Sequence, residues 1–163
     1  MAYRITNAQV GWQPIADTST TQIHPLGTKV EAVDPTYGAG TFIYLAGVAS
    51  TAVGSWVLVN PDNNSTSLLA ANDIGSVAVA MSANVASQYG WYQIYGKAVG
   101  KALTGFVDNA NVYSTATAGS VDDAVVAGDR VKNAKGASAV DTPSTGLAEF
   151  EIAYPFVDDA LAA

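Results

Sequence analysis

The sequence contains no cysteine, and this absence already limits what the chain can do. Disulfides, zinc–thiolate sites, iron–sulfur clusters and cysteine nucleophiles are all excluded without a thiol. There is also a single histidine, His24, so imidazole chemistry has one candidate. It precedes a proline in the stretch "HPLG", and we predict that it is a surface or turn residue rather than a catalytic one.

Charge is scarce as well, because only 13% of the residues are charged while 49% are hydrophobic. Seven basic residues against fourteen acidic ones give a net charge of −7, and this argues against direct nucleic-acid binding, which needs clustered Lys and Arg. A surface with so few charges is prone to association. We therefore expect much of it to be covered by partners or by copies of the chain.

Long hydrophobic runs are also missing. The longest apolar stretches, "FIYLAGVA" and "VAVAM", are far too short to span a bilayer, so we expect no membrane partner. The first residues, "MAYRITNAQVGW", lack the basic and then apolar segments of a secretory signal. We expect synthesis in the cytoplasm without export by a leader.

Motifs for catalysis are lacking too. No serine lies in a Gly-x-Ser-x-Gly elbow, and "GKAVGKA" lacks the spacing of a phosphate-binding loop. Glu149 and Glu151 are two residues apart, which suits an exposed strand edge better than a pair of glycosidase acids. "NPDNNS" and "VDDA" offer oxygen ligands without the Gly and Glu spacing of a calcium loop. We predict no enzymatic activity, no catalytic residue, no cofactor and no metal site.

What the sequence does contain is a series of short β-rich runs after Gly27, separated by turn residues about every ten positions. Examples are "TKVEAVD", "GTFIYLAGV", "GSWVLVN", "IGSVAVAMSA" and "AEFEIAYPFVDD". The pattern predicts an all-β fold, a single β-sandwich or β-barrel-like domain. Helical signals are confined to "TSLLAAND" and "SVDDAVVAG", so we expect at most one or two short helices.

The chain divides by composition into an extended N-terminal arm, residues 1–26, a β domain, residues 27–158, and a tail, residues 159–163. Pro155 and Phe156 are predicted to anchor the end of the domain. The polar, Thr-rich arm is a candidate clasp across a neighbouring subunit, and packing on its own domain is the alternative. Its candidate contact residues are Tyr3, Ile5, Val10, Trp12 and Ile15.

The stretch "SQYGWYQIYGKAVGKA", residues 87–102, concentrates aromatic side chains between glycines. Strand alternation would place Trp91, Gln93, Tyr95, Lys97 and Val99 on one face and Tyr92, Ile94 and Ala98 on the other. Because both faces carry aromatics, we predict a central strand with one face on the core and one covered by a neighbouring subunit. The candidate interface residues here are Tyr89, Trp91, Tyr92 and Tyr95.

Two alternatives for this stretch remain open. Both faces can be buried inside one domain, as large aromatics often are. A carbohydrate platform would instead need exposed aromatics with acids and amides nearby, and the stretch itself offers only Gln88 and Gln93.

Several segments carry a resemblance to a known family: "GTFIYLAGVASTAVGSWVLVN", "GSVAVAMSANVASQYGWYQIYGKAV", "NANVYSTATAGSV" and "AGDRV". They resemble small head proteins that tailed bacteriophages encode beside the major capsid protein and that decorate or cement the capsid. The resemblance covers residues 27–158 and lies in Ala-, Gly-, Val- and Thr-rich β-segments around a Gly-aromatic strand. That family has no catalytic residues to transfer to this chain.

The resemblance implies a non-enzymatic virion protein that binds the outer surface of the major capsid protein lattice and stabilises the head. It implies location on the capsid surface after synthesis in the host cytoplasm. Together with the low charge it favours a homo-oligomer, with a trimer around local symmetry axes as the expected form. Another virion component, such as a head fibre base or a tail protein, and a carbohydrate-binding β module are the alternatives.

Overall fold

The structure, a computed structural model, describes residues 3–6 and 11–158. These residues form strands, turns and loops with no helix, and the predicted all-β fold class is confirmed. Both candidate helical stretches are instead short strands joined to loops. The strands are β1 (Arg4–Ile5), β2 (Thr18–Ser19), β3 (Lys29–Asp34), β4 (Gly38–Ala46), β5 (Trp56–Val59), β6 (Thr66–Leu68), β7 (Gly75–Ala80), β8 (Tyr89–Lys101), β9 (Asn111–Ser114), β10 (Val121–Asp122), β11 (Arg130–Gly136) and β12 (Leu147–Val157).

The hairpin of β3 and β4 illustrates how the sequence sets these elements. In "KVEAVD" every second side chain is buried, as expected of a strand with one face on a core. Asp34 ends β3, and its Oδ1 accepts hydrogen bonds from the backbone N–H groups of Thr36 (2.7 Å) and Tyr37 (3.0 Å). Gly38 then begins β4 at φ 75°, a conformation that glycine adopts without steric cost.

The strands form one antiparallel sheet with the order β1-β3-β4-β8-β7-β12-β11-β9-β10. β2 pairs with β8, while β5 pairs with both β6 and β7. β8 is the longest strand, with 13 residues, and it pairs with four others: β2, β4, β7 and β12. It is therefore the element around which the sheet is organised.

The sheet encloses three hydrophobic clusters, and β8 contributes to all of them. Trp91 belongs to the cluster next to the N-terminal segment, and Tyr92 belongs to a second one against β5 and β7. Ala98 reaches the third and largest cluster, which is built around Trp56 and Phe150. These two rings pack edge to face with centroids 4.9 Å apart.

The predicted alternation along β8 is correct from Trp91 to Ile94 and wrong at Tyr95. Thr41 pairs with Tyr95 and the next residue, Phe42, pairs with Gln93, so Ile94 is an extra residue in the ladder. Cross-strand partners share a face, and the bulge therefore puts Gln93 and Tyr95 on opposite faces. Gln93 is fully buried, whereas Tyr95 is 47% exposed.

The described part of the N-terminal segment makes its strand pairs with its own chain. β1 pairs with β3, and β2 pairs with the start of β8. Ile15, one of the predicted contact residues of the arm, is only 2% exposed, and packing on its own domain was one of the two alternatives for this segment. Val10 and the tail, residues 159–163, lie outside the described residues.

Candidate functional site: an aromatic surface along β8 and β12

Trp91 is fully buried, and the N-terminal segment supplies its cover. Its indole Nε1 donates a hydrogen bond to the backbone carbonyl oxygen of Gln13 (2.9 Å). Its ring packs against Tyr44, His24 and Trp12 at centroid distances of 5.0, 5.5 and 5.9 Å. The surface that a neighbouring subunit was expected to cover is thus occupied by residues 12–24 of the same chain.

Tyr92 is fully buried on the other face of β8. Its hydroxyl accepts a hydrogen bond from Asn84 Nδ2 (3.0 Å), and burial raises the pKa of this phenol above its usual value. Because the chain itself covers Trp91 and Tyr92, neither ring offers a partner any surface. The interface role predicted for these two residues is corrected: the structure places both in the interior of one domain, which is the first of the two alternatives.

The other candidate arm residues also face their own domain. The Tyr3 hydroxyl donates to the backbone oxygen of Lys97 (3.0 Å), and its ring meets Phe42 edge to face at 4.8 Å. Burial is the main reason that the pKa of Tyr3 rises to about 12. Ile5 and Trp12 pack, partly buried, against the same cluster as Ile15. For these residues the contact that the structure describes is internal.

Tyr89 and Tyr95 differ in how far they are exposed to solvent. Tyr89 is half-buried at the edge of the Trp91 cluster, with β2 beside it. Tyr95 faces solvent because the bulge turns it outward and because its partners on both sides, Thr41 and Ala153, are small. Among the predicted interface residues, Tyr95 is the one with a substantially exposed ring.

Tyr95 is one of several exposed apolar side chains on β8, on β12 and just before β7. Its ring lies 6.0 Å, between centroids, from that of Tyr154, which is 54% exposed. Phe156 follows two residues later on β12 at 39% exposure, and it lines one surface pocket together with Ile74, which is 60% exposed. We call Ile74, Tyr95, Tyr154 and Phe156 the aromatic strip.

Tyr154 owes its position to a change of partner in β12. Ala153 makes the last pair with β8, and Phe156 makes the first pair with β7. Tyr154 lies between them at φ 56°, a left-handed conformation that is rare for a bulky side chain. Backbone outliers of this kind cluster at ligand-binding and catalytic sites, and this conformation therefore marks Tyr154 as part of a candidate site. The ammonium group of Lys29 lies over its ring, 5.7 Å from the centroid.

Sequence reasoning placed Phe156 at the domain edge but missed the strip as a surface. The local signal was available in "AYPFV", where two aromatics flank a proline at the end of the last strand. Pro155 is buried, and its neighbours on both sides are exposed. A proline within a strand indicates an interruption of the ladder, and here it coincides with the change of partner.

The acidic residues considered for catalysis interact with neighbouring parts of the fold. Glu149 forms an ion pair with Lys97 at 2.6 Å. Glu151 is exposed, and its partners in the strand register are Lys97 on β8 and Lys135 on β11. Asp129, which the sequence analysis did not single out, is 2% exposed and accepts a hydrogen bond from the backbone N–H of Asn72 (2.7 Å). Within residues 3–6 and 11–158, no group of three or more His, Cys, Asp or Glu side chains is arranged to hold a metal ion.

No protein-family model, curated protein or solved structure matches the chain. In the part of the chain that the structure describes, no helix is long and apolar enough to cross a membrane.

Proposed function

We propose that this chain is a capsid decoration protein, a non-enzymatic virion protein that binds the outer surface of the major capsid protein lattice and stabilises the head. The aromatic strip is the observation that carries the proposal. The resemblance of residues 27–158 to small phage head proteins supports it independently of the surface geometry.

The strip has the character of a protein–protein contact. Exposed apolar patches on folded domains commonly mark interaction sites, and Tyr and Phe are enriched at the centres of interfaces. Phe156 pairs with both β7 and β11, and Tyr154 lies between that residue and Ala153, which pairs with β8, so little ordering cost would accompany binding. Lys29 beside Tyr154 provides a charge at the rim.

A capsid lattice suits a small contact surface of this kind. A repeated shell presents the same seam many times, and a self-associating decoration protein engages several copies of that seam at once. We propose a homo-oligomer, with a trimer favoured, bound to the major capsid protein on the capsid surface. Nucleic acid is not part of the proposed contact, since the net charge is −7.

The test is co-sedimentation of the purified chain with empty capsids of its source. The double variant Ile74→Ser/Phe156→Ser removes apolar area from two exposed positions of the strip, so it should weaken capsid binding at least about tenfold while the fold persists. Val125→Ser is the matched control, because Val125 is 80% exposed and lies outside the strip. It should bind as the wild type does.

Two results would contradict the proposal. A wild-type chain that ignores the capsids but pellets with head fibres or tails would assign it to another part of the virion. Equal losses in the strip variant and in Val125→Ser would show that the strip is not the contact. Light scattering on the free chain measures the expected oligomer directly.

A further inference from the structure

A groove of about 760 Å³ opens beside Tyr95, on the β11 side of the aromatic strip. It lies where β12 moves away from β8, and its floor includes Gly96 and Ala153. Unlike the strip, the groove also carries polar and charged side chains, and they come from three different strands. These are Asn111, Arg130, Asn133, Lys135 and Glu151, with Tyr95 as the aromatic wall.

Irregular strand pairing creates the groove. Arg130 pairs with Tyr113 and Lys135 with Asn111, so β11 advances five residues while β9 advances two. The extra residues of β11 form a bulge, and bulges redirect side chains and often lie next to functional sites. Asn133 sits within it at φ 59°, a left-handed conformation that asparagine tolerates.

The pairing of β12 with β11 is also irregular next to this opening. Lys132 pairs with Phe156 and Ala134 with Ile152, so β12 advances four residues against two on β11. Tyr154 lies in this second bulge, and its ring flanks Tyr95 at an interplanar angle of 43°. The bulge of β11 lines the opening through Asn133, and the bulge of β12 borders it through the contact of Tyr154 with Tyr95.

The side chains of the groove complement a sugar. The exposed face of the Tyr95 ring can stack on the C–H face of a pyranose, and the neighbouring Tyr154 ring limits its rotation. Arg130 and Lys135 donate hydrogen bonds, Glu151 accepts them, and Asn133 can do both. The Arg130 guanidinium is oriented by a hydrogen bond from its Nη2 to Asn111 Oδ1 (3.0 Å).

These groups add an acid and further amides to Gln88 and Gln93, which are all that residues 87–102 offer by themselves. β9, β11 and β12 bring them to Tyr95, and no stretch of sequence contains the whole set. The groove is also widely open to solvent, so it suits a chain of sugar units better than a small enclosed molecule.

We propose that this groove binds an oligosaccharide, stacked on Tyr95 and hydrogen-bonded by Arg130, Asn133 and Glu151. Two cations face one carboxylate here, so a uronic acid unit is preferred near Arg130, where the guanidinium can hold a carboxylate through two hydrogen bonds. This function is additional to capsid decoration and uses a different set of polar residues.

The experiment is an NMR titration of the isolated chain with two probes, hexagalacturonate and the neutral hexamer cellohexaose. Both should shift the backbone amide signals of Gly96 and Asn133, and hexagalacturonate should bind more tightly. Tyr95→Ala should weaken both probes about tenfold, whereas Tyr95→Phe keeps the stacking ring and should bind nearly as the wild type does.

Arg130→Ala should weaken binding of hexagalacturonate by a larger factor than that of cellohexaose, because it removes a charge-assisted contact to a carboxylate from the first and only a hydrogen bond to a hydroxyl from the second. Phe156→Ala is the matched aromatic control outside the groove, and it should bind both probes normally. The proposal is overturned if neither probe moves these amide signals, or if Tyr95→Ala binds as well as the wild type.

Capsid co-sedimentation separates this site from the decoration proposal. Arg130→Ala should still bind capsids, and Phe156→Ser should still bind the sugars. Loss of one function without the other identifies which of the two proposals has failed.

Discussion

His24 lies among aromatic rings at the junction of the N-terminal segment and the domain. Its ring is 4.7 Å from Trp12 and 5.0 Å from Tyr44, between centroids. Its Nε2 accepts a hydrogen bond from the backbone N–H of Gln13 (3.1 Å), so this nitrogen carries no proton in the folded chain. Sequence reasoning expected a turn histidine; the structure gives it a packing role as well.

We predict that stability falls on mild acidification because of this residue. Burial lowers the pKa of His24 below its usual 6.5, so between the two values the unfolded chain binds the extra proton. The stabilising contribution is complete above the unfolded pKa and is lost as the pH falls through the folded one. Urea unfolding from about pH 8 to about pH 5.5 should therefore show a decreasing free energy of unfolding.

His24→Gln is the control for this effect, since it keeps an acceptor and does not titrate. Its free energy of unfolding should depend less on pH over the same interval. A wild-type chain that gains stability relative to His24→Gln on acidification would contradict the prediction.

The irregular pairing within β8 affects both the exposure of Tyr95 and the approach of β8 to β4. Its bulge at Ile94 turns Tyr95 outward, and Gly96 follows at φ 103°. A side chain at Gly96 would collide with the carbonyl oxygen of Ala39 on β4. The exposure of Tyr95 therefore depends on a glycine that allows the two backbones to approach closely.

Gly96→Ala should destabilise the chain by about 3 kcal/mol or more, because conformational strain and a backbone collision act together. Gly105→Ala is a closely matched control: Gly105 has the same φ of 103°, but a Cβ there meets no atom within 4 Å. It should cost only about 1 kcal/mol. Denaturant unfolding of both variants measures the difference, and equal losses would mean that the collision with β4 is absent.

The strand pattern was predictable from sequence because hydrophobic alternation and turn residues act locally. The bulge in β8 was not, since nothing in "YGWYQIYG" distinguishes an extra residue from regular alternation. The cover over Trp91 was predicted only as one of two alternatives, because side chains such as Trp12 and Ile15 can pack on their own domain or on a neighbouring subunit. The groove beside Tyr95 depends on residues from β9, β11 and β12, and their meeting is a property of topology alone.

At the scale of the whole molecule, the N-terminal segment closes one of the three clusters. Gln13 links three parts of the chain: its carbonyl oxygen accepts from Trp91, its Oε1 accepts from the hydroxyl of Tyr44 (2.8 Å), and its Nε2 donates to the backbone oxygen of Tyr89 (3.2 Å). Deleting residues 1–26 would therefore expose Trp91 and Tyr44 to water. A loss of capsid binding by that truncation would not distinguish a clasp from partial unfolding. Point substitutions distinguish the two, because they leave the rest of the segment in place.

Ile15→Ala and Ile23→Ala form a matched pair within this segment. Ile15 is 2% exposed and Ile23 is 49% exposed, so the same truncation probes two environments. Ile15→Ala should lower the free energy of unfolding by about 2–5 kcal/mol, as expected for a buried isoleucine, and Ile23→Ala should change it by about 0.5 kcal/mol or less. Urea denaturation measures both. If Ile15→Ala proves as mild as Ile23→Ala, the segment does not hold the cluster closed in solution, and it is then available to reach a neighbouring subunit as the clasp hypothesis requires.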